Sequence, residues 1–344
     1  MSTFPKPTRV VIRGTAAYLP ENEVPSEVLG ERLGLTRDDI EHRTGILSRR
    51  WADPDQSASS LAIEAGRRLL EETGVDPASV DRVLVSTTSA DMPFPSTACL
   101  VQDALGAGRR GAMDVMASCS GFLAALSMAR GAILCGDARR ILIVCADVKS
   151  RFLDLDDPST AIIFGDGAGA ALVEGAHGDA GGGEVGPVFL HTDGSRWPWV
   201  HLPAGGSRLP LSAETLEANL HTLKMDGIPL FRMAVKSFSA VIREALNADG
   251  LGLDGVACFV FHQANLRILE AVAARLKLPR DKVATTLETY GNTSSASLPI
   301  TLDAAVRRGQ IKPGDTVLLA TFGGGITWGA CRVVWGGTER VARA

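Results

Sequence analysis

A cysteine stands between small residues in VMASCSGF (115–122), where an apolar strand-like run gives way to an Ala/Leu-rich helical one. Cys119 at the first turn of a helix would face free backbone N–H groups and about half a positive charge, which favour thiolate over thiol. That is the setting of a nucleophile, and Ser118, Ser120 and Gly121 leave room for a substrate. Taken singly, the plainer reading is a buried structural cysteine. His262 closes the apolar run in FVFHQAN, at a strand end, where α/β proteins hold ligands. A satisfied structural histidine is its plain alternative. Asn292 lies in YGNTSS, and Gly-Asn by itself signals a turn. The glycines at 323–325 can bring backbone N–H groups close to a ligand, as an oxyanion site requires, or can simply make a turn. GDGAGA (165–170) resembles a fragment of a dinucleotide fingerprint. It leads into a strand rather than from a strand into a helix, so a nicotinamide site is rejected.

These residues need elements to hold them. Apolar β-branched runs at 10–14, 80–88, 139–146, 167–174, 256–262, 315–322 and 328–335 predict strands. Ala/Leu-rich stretches at 59–73, 119–135, 231–249, 266–276 and 297–308 predict helices. Strands apolar on both faces belong to sheets covered by helices, so the class is α/β. A weak repeat is visible. Cys119 follows the strand ending near Ser86 by the same interval at which Ser295 follows the strand ending near His262. Each then opens a helix, and a Gly-Asp turn and a further strand follow (GDARRILIVCAD, GDTVLLATFG). The order suggests a duplicated fold with a site where the halves meet. The Gly-rich segment at 174–186 reads as a surface connection. The boundary is placed there, giving halves 1–178 and 179–344, with a polar, exposed tail at 336–344.

The composition bounds the function. Hydrophobic residues make up 45% and charged ones 22%, so the 344-residue chain can bury a large core. A net charge of -4 and a pI of about 5.9 offer no global basic field for nucleic acid or an anionic membrane. The start has no apolar signal segment, and no run is read as reaching the roughly 18 apolar residues of a membrane span. The six cysteines form no CxxC pair, which fits a reduced, cytoplasmic location with neither disulfide framework nor metal site.

VMASCSGF, FGDGAGAALV, FHQANLRIL, GNTSSASLP and FGGGITWG occur in this order. They resemble β-ketoacyl-(acyl carrier protein) synthase III, of the thiolase superfamily. RTGILSRR and TTSADMPFPSTACLVQDALG extend the likeness over nearly the whole chain. The resemblance implies a thiolase-like fold of two halves layered α-β-α-β-α, and a homodimer. It implies a catalytic set of Cys119, His262 and Asn292, with an oxyanion hole from the backbone N–H groups of Cys119 and Gly324. Cys119 would carry the acyl group. His262 and Asn292 would stabilise the enolate left when a malonyl thioester loses carbon dioxide, and the amide suits this because it donates without titrating. No metal or redox cofactor is implied. The substrates are acyl thioesters of coenzyme A or of an acyl carrier protein. Phe164, Met225, Gly227, Phe231 and Asn265 match positions that line the pantetheine tunnel or its entrance. Arg267 matches a carrier-protein contact, and Phe94 a residue that caps the partner's acyl pocket.

Two positions depart from the family pattern. Where members that use coenzyme A sandwich its adenine between tryptophan and arginine, this chain has Asp39 and Pro158. Asp154, Asp156 and Asp157 add negative charge before Pro158. These departures predict poor use of coenzyme A donors and a role in specialised, polyketide-like synthesis. Two alternatives to condensation stay open: acyl transfer from Cys119 to an oxygen or nitrogen nucleophile, and a catalytically silent binding partner.

Overall fold

A computed structural model of the chain describes residue 4 and residues 6–178 and 183–337. Two five-stranded sheets carry the architecture. The first is built from β1 (Arg9–Tyr18), β2 (Arg82–Ser86), β3 (Ala112–Val115), β4 (Arg140–Asp147) and β5 (Gly167–Ala176), in the order β1-β5-β4-β2-β3. The second is built from β6 (Glu184–Thr192), β7 (Cys258–Phe261), β8 (Val283–Ala284), β9 (Thr316–Gly323) and β10 (Thr327–Val334), in the order β6-β10-β9-β7-β8. The two orders are the same. So are the directions: β2 runs parallel to β3 and β4, and β7 parallel to β8 and β9, while the remaining pairs are antiparallel.

The main helices are α1 (Ala58–Thr73), α2 (Thr97–Leu105), α3 (Gly121–Cys135), α4 (Gly227–Ala248), α5 (Leu266–Leu276) and α6 (Ser297–Arg307). Strand pleating sorts the core into layers. On β4, Ile141, Ile143 and Cys145 face a central layer with Phe122 and Leu126 of α3, while Leu142 and Val144 face Leu61 and Leu69 of α1. On β9, Val317 and Leu319 join the central layer, which also holds Leu298 and Leu302 of α6. Leu318 and Ala320 face Phe238 and Ile242 of α4. The stack is therefore α-β-α-β-α, with α3 and α6 between the sheets.

The seven expected strands and five expected helices are all present. The helix expected over 119–135 begins instead as a 3-10 turn, Ser118–Ser120, followed by α3. β3, β6 and β8 and helix α2 had no prediction. β3 and β8 are short edge strands, and β6 mixes exposed and buried residues without clean alternation. The segment 174–186 is not all connection: β5 runs to Ala176 and β6 starts at Glu184. The residues at 179–182, where the boundary was placed, and the tail from 338 lie outside the described residues. One further expectation is corrected. Ser118–Cys135 is long and apolar enough to cross a membrane by length and composition. Its Phe122, Leu123, Leu126 and Ile133 are instead buried against both sheets, because a helix between two sheets must be apolar nearly all round.

Candidate active site at the junction of the halves

Cys119 and Ser295 occupy equivalent turns. Each precedes a central helix and follows a serine with positive φ, Ser118 at 47° and Ser294 at 55°. A serine there is strained, so the surrounding structure must hold it. The Cys119 turn is held from the other half. Thr321 Oγ1 on β9 donates to the Cys119 carbonyl at 2.8 Å, and Thr327 Oγ1 on β10 donates to Ser120 Oγ at 2.9 Å. The Ser295 turn is held reciprocally. Its N–H and Oγ donate to Asp147 Oδ2 at 3.1 and 2.6 Å, and its Oγ also approaches the Ser86 carbonyl at 3.2 Å.

Asp147 ends β4, and Gly323 ends β9 at the equivalent place. Where Asp147 ties down the Ser295 N–H, Gly323 leaves the Cys119 N–H approachable. A Cβ at 323 would stand 2.8 Å from Cys119 N. Gly324 follows in the turn between β9 and β10, its own absent Cβ 3.3 Å from Ser118 Oγ. Gly324, expected from the sequence to pair with Cys119, thus lies beside Ser118, and Gly323 is the residue against Cys119 itself.

His262 follows β7 and is buried. Its Nδ1 lies 2.5 Å from Ser297 Oγ, which accepts the Gln263 N–H at 3.2 Å. Burial pushes the imidazole down to about 3, opposed by the charge of Asp147. The ring is therefore neutral at physiological pH. Asn292 follows Gly291 and forms a parallel bridge to Phe164. Its Oδ1 accepts the Ser294 N–H at 2.9 Å, so the amide group's donor end is turned the other way. Ser294 Oγ in turn lies 3.8 Å from Cys119 Sγ. The stretch 292–297 thereby links the amide, the thiol and the imidazole. Cys119 is half-buried. Burial pushes its thiol up to about 11. Lys149 pulls it down, Asp147 pushes it up, and the Ser294 hydroxyl lowers it.

The other expected residues scatter around this centre. Phe164 and Met225 meet in one apolar cluster with Ile162 and Ile163. Gly227 starts α4, with Phe231 partly exposed one turn on. Asn265 caps α5: its Oδ1 accepts the Arg267 N–H at 2.9 Å and its Nδ2 donates to the Arg43 carbonyl at 3.1 Å. Arg267 is exposed on α5. Phe94 is 86% exposed in the loop before α2. Asp39 and Pro158 have local structural work. Asp39 completes the capping box of the helix Arg37–Thr44, and its carboxyl is held low by the Thr36 hydroxyl and N–H. Pro158 is the first residue of the short helix Pro158–Ala161, which Asp157 caps. Arg32 pairs with Asp156 at 2.8 Å, so part of the acidic run is neutralised.

Sequence reasoning missed Asp147, Ser294 and Ser297. The repeat was the one signal available, since it set Ser295 opposite Cys119.

A profile described as 3-oxoacyl-[acyl-carrier-protein (ACP)] synthase III matches residues 113–194, and one for the C-terminal part of the same family matches 246–335. A β-ketoacyl-[acyl-carrier-protein] synthase III of Caldanaerobacter subterraneus subsp. tengcongensis is 43% identical over 324 residues, covering 94% of this chain and 97% of the relative. This chain belongs to the 3-oxoacyl-[acyl-carrier-protein] synthase III family. Solved structures agree with that. A 3-oxoacyl-(acyl-carrier-protein) synthase III crystal structure superposes with a TM-score of 0.90 at 33% identity, over 95% of this chain and all of the other. The priming β-ketosynthase from the R1128 polyketide biosynthetic pathway gives 0.88 at 35% identity, over 96% of this chain and 97% of the other. The protein is a ketosynthase III-type condensing enzyme of the acyltransferase class, with a thiolase-like fold.

Proposed function

We propose that Cys119 takes an acyl group from a thioester and that this group is then condensed with a malonyl-type thioester on an acyl carrier protein. The observation that carries this reading is the donor set beside the thiol. A neutral buried imidazole bonded to Ser297 and an amide whose oxygen is already engaged by Ser294 sit on the one stretch that touches Cys119. Loss of carbon dioxide leaves an enolate oxygen, and two uncharged donors stabilise it without a proton being exchanged. The enolate carbon attacks the Cys119 acyl carbonyl, the carbon–sulfur bond breaks, and the thiolate is regenerated. The acyl oxyanion would lie between the N–H groups of Cys119 and Gly324. Phe164, Met225, Gly227, Phe231 and Asn265 would line the pantetheine approach, with Arg267 meeting the carrier's acidic surface or phosphate.

The protein would act as a cytoplasmic homodimer. In support, β3 is an edge strand of the first sheet, and Met113 within it and Met116 just after it are exposed. Phe94 would serve the partner's acyl pocket. Carrier-protein donors would be preferred over coenzyme A, because Asp39 and Pro158 offer no adenine stack.

One experiment tests the reading. The enzyme is incubated with one acyl group on coenzyme A and on carrier protein, at low and high salt, and followed by intact mass. Malonyl carrier protein is then added and carbon dioxide measured. We expect an adduct on Cys119, faster loading from the carrier, and malonyl-dependent carbon dioxide release. Cys119→Ser should carry no adduct. An adduct on another residue overturns the nucleophile. Transfer without carbon dioxide makes the enzyme a simple acyltransferase. Equal loading at micromolar coenzyme A thioester removes the donor preference.

A further inference from the structure

One buried charge has no part in the chemistry above. Lys149 lies two residues beyond the end of β4, its side chain only 10% exposed. Its Nζ donates to Thr88 Oγ1 and stands 3.5 Å from Asp147 Oδ1. Thr88 Oγ1 donates to the same carboxylate oxygen at 3.0 Å. The other oxygen, Oδ2, accepts from Ser295, whose neighbour Ser294 touches Cys119 Sγ. Asp147 is thus saturated by Thr88, Ser89 and Ser295 donors, whereas among the described residues the ammonium has only one hydroxyl and the 3.5 Å pair. Stability alone does not explain the lysine, because buried ion pairs are commonly no better than well-packed apolar residues.

We propose that Lys149 is an electrostatic positioning residue, whose ammonium stabilises the thiolate of Cys119 during acyl loading. In that step the Sγ–H bond breaks and the Sγ–carbon bond forms at the acyl carbonyl. The donor's carbon–sulfur bond breaks, and the proton ends on the departing donor sulfur. Negative charge sits on Sγ before the new bond forms, inside a site where burial opposes it. The elements packed on the Cys119 turn bring it little help: Thr321 and Gly323 from β9, Thr327 from β10, and the serines of 294–296. The fixed charges acting on it are Lys149 and Asp147, and the lysine's pull on the thiol is the larger of the two. His262 is affected by Asp147 instead. The two charges of the pair therefore act on the thiol in opposite senses, and Asp147 acts on the imidazole as well.

The inference rests on Cys119 being the nucleophile, and the test separates the two. The iodoacetamide alkylation rate of Cys119, located by peptide mapping, is measured from pH 6 to pH 9 alongside acyl loading. Lys149→Met should react about tenfold more slowly at pH 8, as removal of a neighbouring opposite charge shifts a pKa by about one unit or more. Lys149→Arg should restore most of the rate. Should Lys149→Met fail to fold, the neutral pair Asp147→Asn/Lys149→Met serves instead and should also lie below wild type. Wild-type rates in either charge-free variant overturn the role of Lys149. Absence of acyl loading at Cys119 in the wild type overturns the nucleophile itself.

Discussion

His262 shows how far the fold decides a residue's chemistry. An ordinary histidine titrates near 6.5, but this one is held down to about 3 by burial. Between those values the unfolded chain binds a proton that the folded chain refuses. Stability from this group is present above pH 6.5 and is lost as pH falls toward 3, at up to about 1.4 kcal/mol per unit. Thermal unfolding of wild type and His262→Gln from pH 4 to pH 8 should show a shallower acid loss in the variant. Parallel curves would assign the acid sensitivity to other groups. Asn292→Ala should spare acyl loading and slow carbon–carbon bond formation by about 10²–10³, the usual cost of one oxyanion donor. Equal loss of both half-reactions would make Asn292 a turn residue only. Cys119, His262 and Asn292 could be singled out in the sequence because their motifs stand in a fixed order, and the structure gathers them around the stretch 292–297. Ser297 and Asp147 could not, because their partners lie 35 and 148 positions away and leave no local pattern.

At the level of elements, the β9–β10 turn governs the site more than any single side chain. Gly325 and Ile326 both have positive φ, 73° and 49°. A β-branched residue there is costly, and burial of Ile326 in the outer cluster of the second half holds it in place. Just before this turn, Gly323 lies against Cys119. Gly323→Ala would push a methyl group onto Cys119 N, and neither backbone can retreat from packed strands. We expect acyl loading to fall at least 100-fold and the melting temperature to fall as well, because the clash is with backbone and must be relieved by a shift of packed strands. A variant that loads normally would show that the Cys119 N–H takes no part. The strands bearing these residues, β4 and β9, were legible because they are apolar on both faces. The edges β3 and β8 were not, being four and two residues long.

Across the whole molecule, the duplication is more than a likeness of order. Positions 118 and 294, 119 and 295, 86 and 262, and 147 and 323 all stand at one offset; Ser295 bonds to Asp147 and Ser86 of the other half, while the Cys119 carbonyl is bonded from the other half by Thr321. The halves share the central layer, so neither closes its core alone. Residues 1–178 expressed alone should be insoluble or unfolded, and co-expression with 179–344 should recover soluble protein. A soluble, cooperatively melting first half would show two independent domains.

The central helix has a consequence for manufacture on the ribosome. α3 is complete once residue 135 is made, yet the second sheet that covers it ends with β10 at Val334. At about 5–20 residues per second, that interval lasts roughly 10–40 s. Throughout it, a segment apolar enough to pass for a membrane span waits without its second cover. Yield in a cell therefore depends on what shields this helix during translation, not only on how stable the finished enzyme is.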